Sequence, residues 1–175
     1  MDKGLFVPLI GASIFFILII LESTDGDPFS VVIDKQIKLT KLVDVDKENI
    51  FEIMSSPELY PKVLPEIVVE VKIINQTGNV IFAEETISEL GLRKKMLVKH
   101  ELFPFNKHII EILDGDANGT KVVILFSEVD SKTKISSDLH LKVSGPLVPF
   151  LGLIHQGNFE RGYVTVINAF VKYIT

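Results

Sequence analysis

The sequence predicts an α+β domain: a curved, seven-stranded antiparallel sheet wrapped around a long carboxy-terminal helix, preceded by a transmembrane helix at the amino terminus. Three observations predict it. Residues 67–143 alternate between β-rich runs and short turns, residues 149–174 return to helical spacing, and Leu5 to Leu21 reads LFVPLIGASIFFILIIL without a charge.

At about 1.5 Å per residue the apolar run approaches the thickness of a hydrocarbon core. A cleaved secretory signal or a buried core helix are the alternatives, but the run is longer than a signal's usual apolar region and no A-x-A site follows it, which favours an uncleaved anchor. Residues 1–21 are therefore read as anchor, 22–30 (ESTDGDPFS) as a turn-rich linker, and 31–175 as the domain. Lys3 precedes the apolar run, whereas Glu22, Asp25 and Asp27 follow it. Positive-inside bias then leaves the domain outside the cytoplasm. There the sequons Asn75-Gln76-Thr77 and Asn118-Gly119-Thr120 would be usable.

The domain opens on alternation. Val31, Ile33, Ile37 and Leu39 stand between charged residues, as in a half-exposed strand over 31–45. DKENIFEIMSS follows, with Asp46 placed to cap a short helix and Ile50, Phe51, Ile53 and Met54 as its apolar stripe. Pro57, Pro61 and Pro65 then forbid a long helix, because each lacks an N–H and pushes its predecessor out of the α region. Six β-rich runs come next: IVVEVKII, NVIFAEETIS, RKKMLVKHEL, KHIIEIL, GTKVVILFSEV and KTKISSDLHLKV. Their short connectors favour an antiparallel meander, since parallel crossovers need a dozen residues or more. In the last segment Phe159, Tyr163, Val166, Phe170 and Ile174 form one stripe, with Val164, Ile167 and Val171 beside it. So wide an apolar face places this helix across the concave side of the sheet.

Composition excludes several chemistries. With no cysteine there is no disulfide, thiolate nucleophile or cysteine metal site. A formal charge of -5 argues against a general nucleic-acid surface. His108, His140 and His155 lie on separate elements without metal-ligand spacing, so no metal site is expected, and no cofactor is implied. DGDANG imitates the start of a calcium loop through Asp114, Asp116, Asn118 and Gly119, but Leu125 stands where the bidentate glutamate belongs. A turn is the better reading.

The order strand, short helix with proline elbow, six strands, long helix resembles the START-like superfamily, also called SRPBCC or helix-grip. Locally the chain is most similar to its polyketide cyclase and coenzyme Q-binding branch: in YPKVLPEIVVEVKII, Tyr60, Pro61, Leu64 and Pro65 fit the yP-x-flP pattern. The resemblance covers residues 30 to 175. ILDGDANGTKVVILF and the lack of tryptophan depart from the turn that follows the fourth strand in coenzyme Q-binding members. What the resemblance implies is a pocket between sheet and helix for a hydrophobic small molecule, with Tyr60 and Leu64 at its mouth.

Strand parity then suggests the lining. Met96, Val98, His100 and Leu102 share one face, opposite Lys95, Lys99 and Glu101, and Leu139 and Leu141 lie opposite Asp138, His140 and Lys142. From the helix, Phe159, Tyr163, Val166 and Phe170 would close the space. On NVIFAEETIS either face can be argued; the inward choice for Val80, Phe82 and Glu84 adds Phe82 to the lining and Glu84 as a carboxylate. GTKVVILFSEV is apolar on both faces and has no orientation in the sequence. The first expectation is a membrane-anchored domain that binds or transfers a lipid, isoprenoid or quinone-like molecule. The alternative is a cyclase or dehydratase-like enzyme using His100 and Glu84, and a third is a pocketless scaffold for protein partners.

Overall fold

The computed structural model describes residues 32–89, 92–144 and 156–175. The expected anchor and linker, 1–21 and 22–30, lie outside the described residues, as does His155. Among the described residues no helix is long and apolar enough to cross a membrane.

Seven strands form one antiparallel sheet in the order β1-β7-β6-β5-β4-β3-β2. They are β1 (Val32–Val43), β2 (Val68–Thr77), β3 (Val80–Glu89), β4 (Leu92–Phe103), β5 (Lys107–Ile112), β6 (Lys121–Val129) and β7 (Lys132–Ser144). The consecutive strands β2 to β7 pair through short turns, and β7 returns to β1 with Val32 opposite Ser144. The two-residue connection from β6 to β7 is Asp130-Ser131, where both residues have positive φ, 49° and 61°, the pattern of a hairpin turn that matches strand twist. Register shifts in β2, between Val68 and Glu70 and between Ile73 and Asn75, mark bulges, which bend a strand and increase its twist.

Because β1 and β2 lie at opposite edges, the segment joining them must cross the molecule. It does so as α1 (Lys47–Met54), a 3₁₀ turn (Pro57–Leu59) and the single-turn α2 (Tyr60–Val63). Asp46 Oδ1 accepts from Asn49 N–H at 3.1 Å and caps α1. Tyr60 fixes the elbow, its hydroxyl donating to the Met54 carbonyl at 2.8 Å. Thus the prolines end α1, and the tyrosine ties α2 back to the last residue of α1.

The long helix α3 (Gln156–Ile174) lies against this layer, with Phe159, Tyr163, Val166, Ile167 and Phe170 buried. The stripe is narrower than its sequence suggests, since Val164 is exposed and Val171 and Ile174 are half-buried. On β6 the concave face takes Val122, Ile124 and Phe126, leaving Leu125 48% exposed. The DGDANG segment is a turn: Asp114 Oδ1 accepts the Leu97 N–H at 2.8 Å, and Gly119, at φ +87°, lies so close to Lys142 that a Cβ would meet its Cδ at 3.1 Å.

The core is divided. One apolar cluster joins β1, β6 and β7 to all three helices, and a smaller one, Ile87, Met96, Val98, Ile112 and Ala117, lies under β3, β4 and β5. Ile110 packs against both.

Candidate functional site

Between the two clusters lies a cavity of about 90 Å³. Where roughly 10–15 Å³ holds one water, this is room for several waters or one compact apolar guest. Its wall is mostly hydrocarbon, from Met96 and Val98 on β4, Leu139 and Leu141 on β7, Val166 and Phe170 on α3, and Leu64 at the elbow. Tyr60, His100 and Tyr163 also line it. These ten expected residues are brought together.

Three are not. Phe82 is half-buried and absent from the wall, because β3 turns Ile81, Ala83, Glu85 and Ile87 inward. Leu102 has the inward parity of His100, but it stands next to the β4–β5 turn, half-buried and beyond the cavity. Phe159 is fully buried in the larger cluster, one turn before Tyr163 on α3, with the Lys35 ammonium 5.4 Å from its ring.

The expected carboxylate is likewise displaced by one residue. Glu84 faces outward, with its side chain 39% exposed and Oε1 accepting from Lys95 Nζ at 2.8 Å. That hydrogen bond, with the lysine's charge, holds the Glu84 carboxyl below its ordinary value. Glu85 is the buried one. Its Oε1 lies 3.0 Å from His100 Nε2, and His100 Nδ1 lies 3.0 Å from His108 Nε2. In the register, His100 opposes Ile81, four residues from Glu85, and the small Ala83 lies between on the same face. The short side chain leaves space for carboxylate and imidazole to meet above it.

His100 and His108 are completely buried. Burial, with the neighbouring His100, lowers the His108 pKa to about 3, against the pull of the Met54 carbonyl, so its imidazole is neutral. Among the described residues, His108 Nδ1 is the side-chain polar atom wholly cut off from solvent and left without a hydrogen-bond partner. The Tyr60 ring stands edge-on to both His100, at 6.1 Å, and Phe170, at 5.8 Å. Burial, then the nearby Glu85 and Glu58 charges, push its phenol well above the ordinary value.

The remaining polar groups of the wall are bonded within the protein. Tyr163 donates to the Ile135 carbonyl at 3.1 Å and Ser137 Oγ donates to Tyr163 at 3.2 Å. Burial raises the Tyr163 pKa to about 12 despite that serine. Thr120 Oγ1 donates to the Lys142 carbonyl at 2.8 Å and accepts its N–H at 3.0 Å. His140 is exposed on the convex face, 2.6 Å from Asp34 Oδ1.

Sequence parity missed Glu85 and His108. The signal for His108 was present in the hairpin turn: with Pro104, Phe105 and Asn106 as its loop, Leu102 pairs with His108 and Ile110 with His100, which puts both histidines on one face.

No protein-family profile matches the chain, and no curated protein sequence matches it. Solved structures do match. The Zhui aromatase/cyclase from Streptomyces sp. R1128 aligns with a TM-score of 0.62 at 12% identity, over 81% of this chain and 93% of that one. A START superfamily protein from Mycobacterium smegmatis gives 0.61 at 17%, over 80% and 99%. A point mutant of Thalictrum flavum norcoclaurine synthase, in complex with a transition-state analogue, gives 0.60 at 15%, over 83% and 99%. At such identities the likeness is one of fold.

Proposed function

We propose that this chain, which has the START-like (SRPBCC, helix-grip) fold, binds a hydrophobic small molecule in the cavity between its sheet and α3. The observation that carries the reading is the hydrocarbon wall itself, assembled from β4, β7, α3 and the elbow around a gap that side chains leave open. Concave, mostly apolar pockets with few polar groups are how proteins hold oily guests. The matched aromatase/cyclase and norcoclaurine synthase show that the same fold serves chains of differing activity, so the function rests on the site.

Leu5 to Leu21 would hold the domain at a membrane, raising its effective concentration beside a lipid-borne ligand. With Lys3 inside, the domain would face away from the cytoplasm. Native mass spectrometry of the full chain, followed by extraction, tests the binding. A retained lipid or isoprenoid mass supports it; an empty protein that takes up no member of a lipid panel overturns it. Alkaline extraction and protease protection of membrane fractions test the anchor and its direction.

Acid–base chemistry is a second reading, favoured by the contact of Glu85 with His100 in the cavity wall. A cyclase or dehydratase would use them to move protons at the guest. Turnover of a polyketide-like substrate, lost in His100→Ala, supports this reading. Turnover that survives the substitution excludes it.

A further inference from the structure

The proton positions along Glu85, His100 and His108 are set by their partners. His108 is neutral and carries one N–H. With Nε2 turned to His100, Nδ1 is the atom left for the nearby Met54 carbonyl, which can only accept, so the proton belongs on that side, although the pair falls short of hydrogen-bond geometry. His108 Nε2 is then an acceptor, and His100 Nδ1–H donates to it across 3.0 Å. The 3.0 Å contact between His100 Nε2 and Glu85 Oε1 needs one proton between them. Whichever atom holds it, Glu85 Oε2 is left as an acceptor, and among the described residues no group donates to it. Glu85 is 3% exposed and stands in the cavity wall. Tyr163, Thr120, Ser137 and Tyr60 donate their hydroxyl protons to the protein's own oxygens.

From this we infer that Glu85 is an acceptor anchor selecting, among apolar guests, those that carry one hydroxyl group, with His100 and His108 as the positioning residues that hold it in that state. The inference rests on the ligand-binding reading above and names the class of guest: an alcohol, phenol or enol on a hydrocarbon body. Carbonyls and ethers, which only accept, are disfavoured at this wall.

The test uses two probes of equal shape, 2-naphthol and 2-methylnaphthalene, titrated into the full chain by fluorescence against a protein-free blank. A plain apolar cavity prefers the methyl compound, because burying a hydroxyl without a partner is unfavourable. An acceptor reverses the order. The expected result is 2-naphthol binding about tenfold more tightly, in line with a hydrogen bond to a carboxyl group. Glu85→Met, which keeps the bulk and removes the acceptor, reduces the preference several-fold. His108→Phe also reduces it, and His108→Gln, whose amide oxygen can again accept from His100, restores it. Equal or tighter binding of 2-methylnaphthalene to the unaltered protein overturns the anchor and leaves the ligand-binding reading standing. Binding of neither probe overturns both.

Discussion

Lowering the pH should loosen this fold through His108, and the size of the effect is set by its burial. The folded pKa is about 3 against an ordinary value of 6.5, so the unfolded chain binds a proton more readily throughout that interval. A base whose folded pKa is depressed contributes stability that is complete above the unfolded value and is lost as the pH falls toward the folded one. At pH 5 the loss from this group is about 2 kcal/mol, since each of the ~1.5 pH units below 6.5 is worth ~1.4 kcal/mol. Across the whole interval it reaches roughly 5 kcal/mol, a large fraction of a typical domain's stability. Glu84, whose carboxyl is held below its ordinary value by Lys95, also loses stabilisation as the pH falls, so a single pH profile does not isolate the histidine. The comparison with His108→Gln does, because glutamine keeps a hydrogen-bonding group beside His100 and has no charge to gain. Urea unfolding at pH 7 and pH 5, with and without the substitution, gives four free energies. The unaltered chain should lose about 2 kcal/mol more than the variant. Equal losses would refute the reasoning, for they would mean that His108 is hydrated or free to turn outward when it charges.

The elbow should be held partly by one hydrogen bond and more by one ring. Tyr60→Phe removes the donor to Met54 and is expected to cost about 1–2 kcal/mol, and Tyr60→Ala, which also removes the contacts to His100 and Phe170, about 3–5 kcal/mol, both read as urea midpoints. Glu84→Gln should leave the melting temperature and probe binding unchanged, because its carboxylate lies on the convex face, whereas Glu85→Met alters both. Val166→Phe should fill the cavity, abolishing uptake of either naphthalene probe while circular dichroism stays native, at a cost of about 1–3 kcal/mol for overpacking.

The sequence showed the fold through punctuation and period, and showed the site only where one strand face was plainly polar. On β4 and β7, lysines, aspartate and histidine alternate with hydrocarbon, and Met96, Val98, Leu139 and Leu141 stand where that alternation puts them. On β3 it fails, because Glu84 and Glu85 are adjacent and Phe82 competes with Ile81 for the interior. What decides between them is the register with β4, together with Lys95 waiting on the outer face, and neither is a property of β3 alone. β6 is apolar on both faces, so only its neighbours orient it. His108 resembled a solitary residue until the FPFN hairpin set it against His100.

The pairing of β1 with β7 has a consequence for synthesis on the ribosome. β1 is an edge strand whose one neighbour in the sheet, β7, begins at Lys132, about ninety residues after β1 ends. At ~5–20 residues per second, the nascent chain carries that strand unpaired for several seconds or longer. Pairings this distant in sequence are also the slow ones to form. β1, with alternate residues that become core, is therefore the segment where a chaperone would be needed most, and where a pause in translation before Lys132 would favour misassembly.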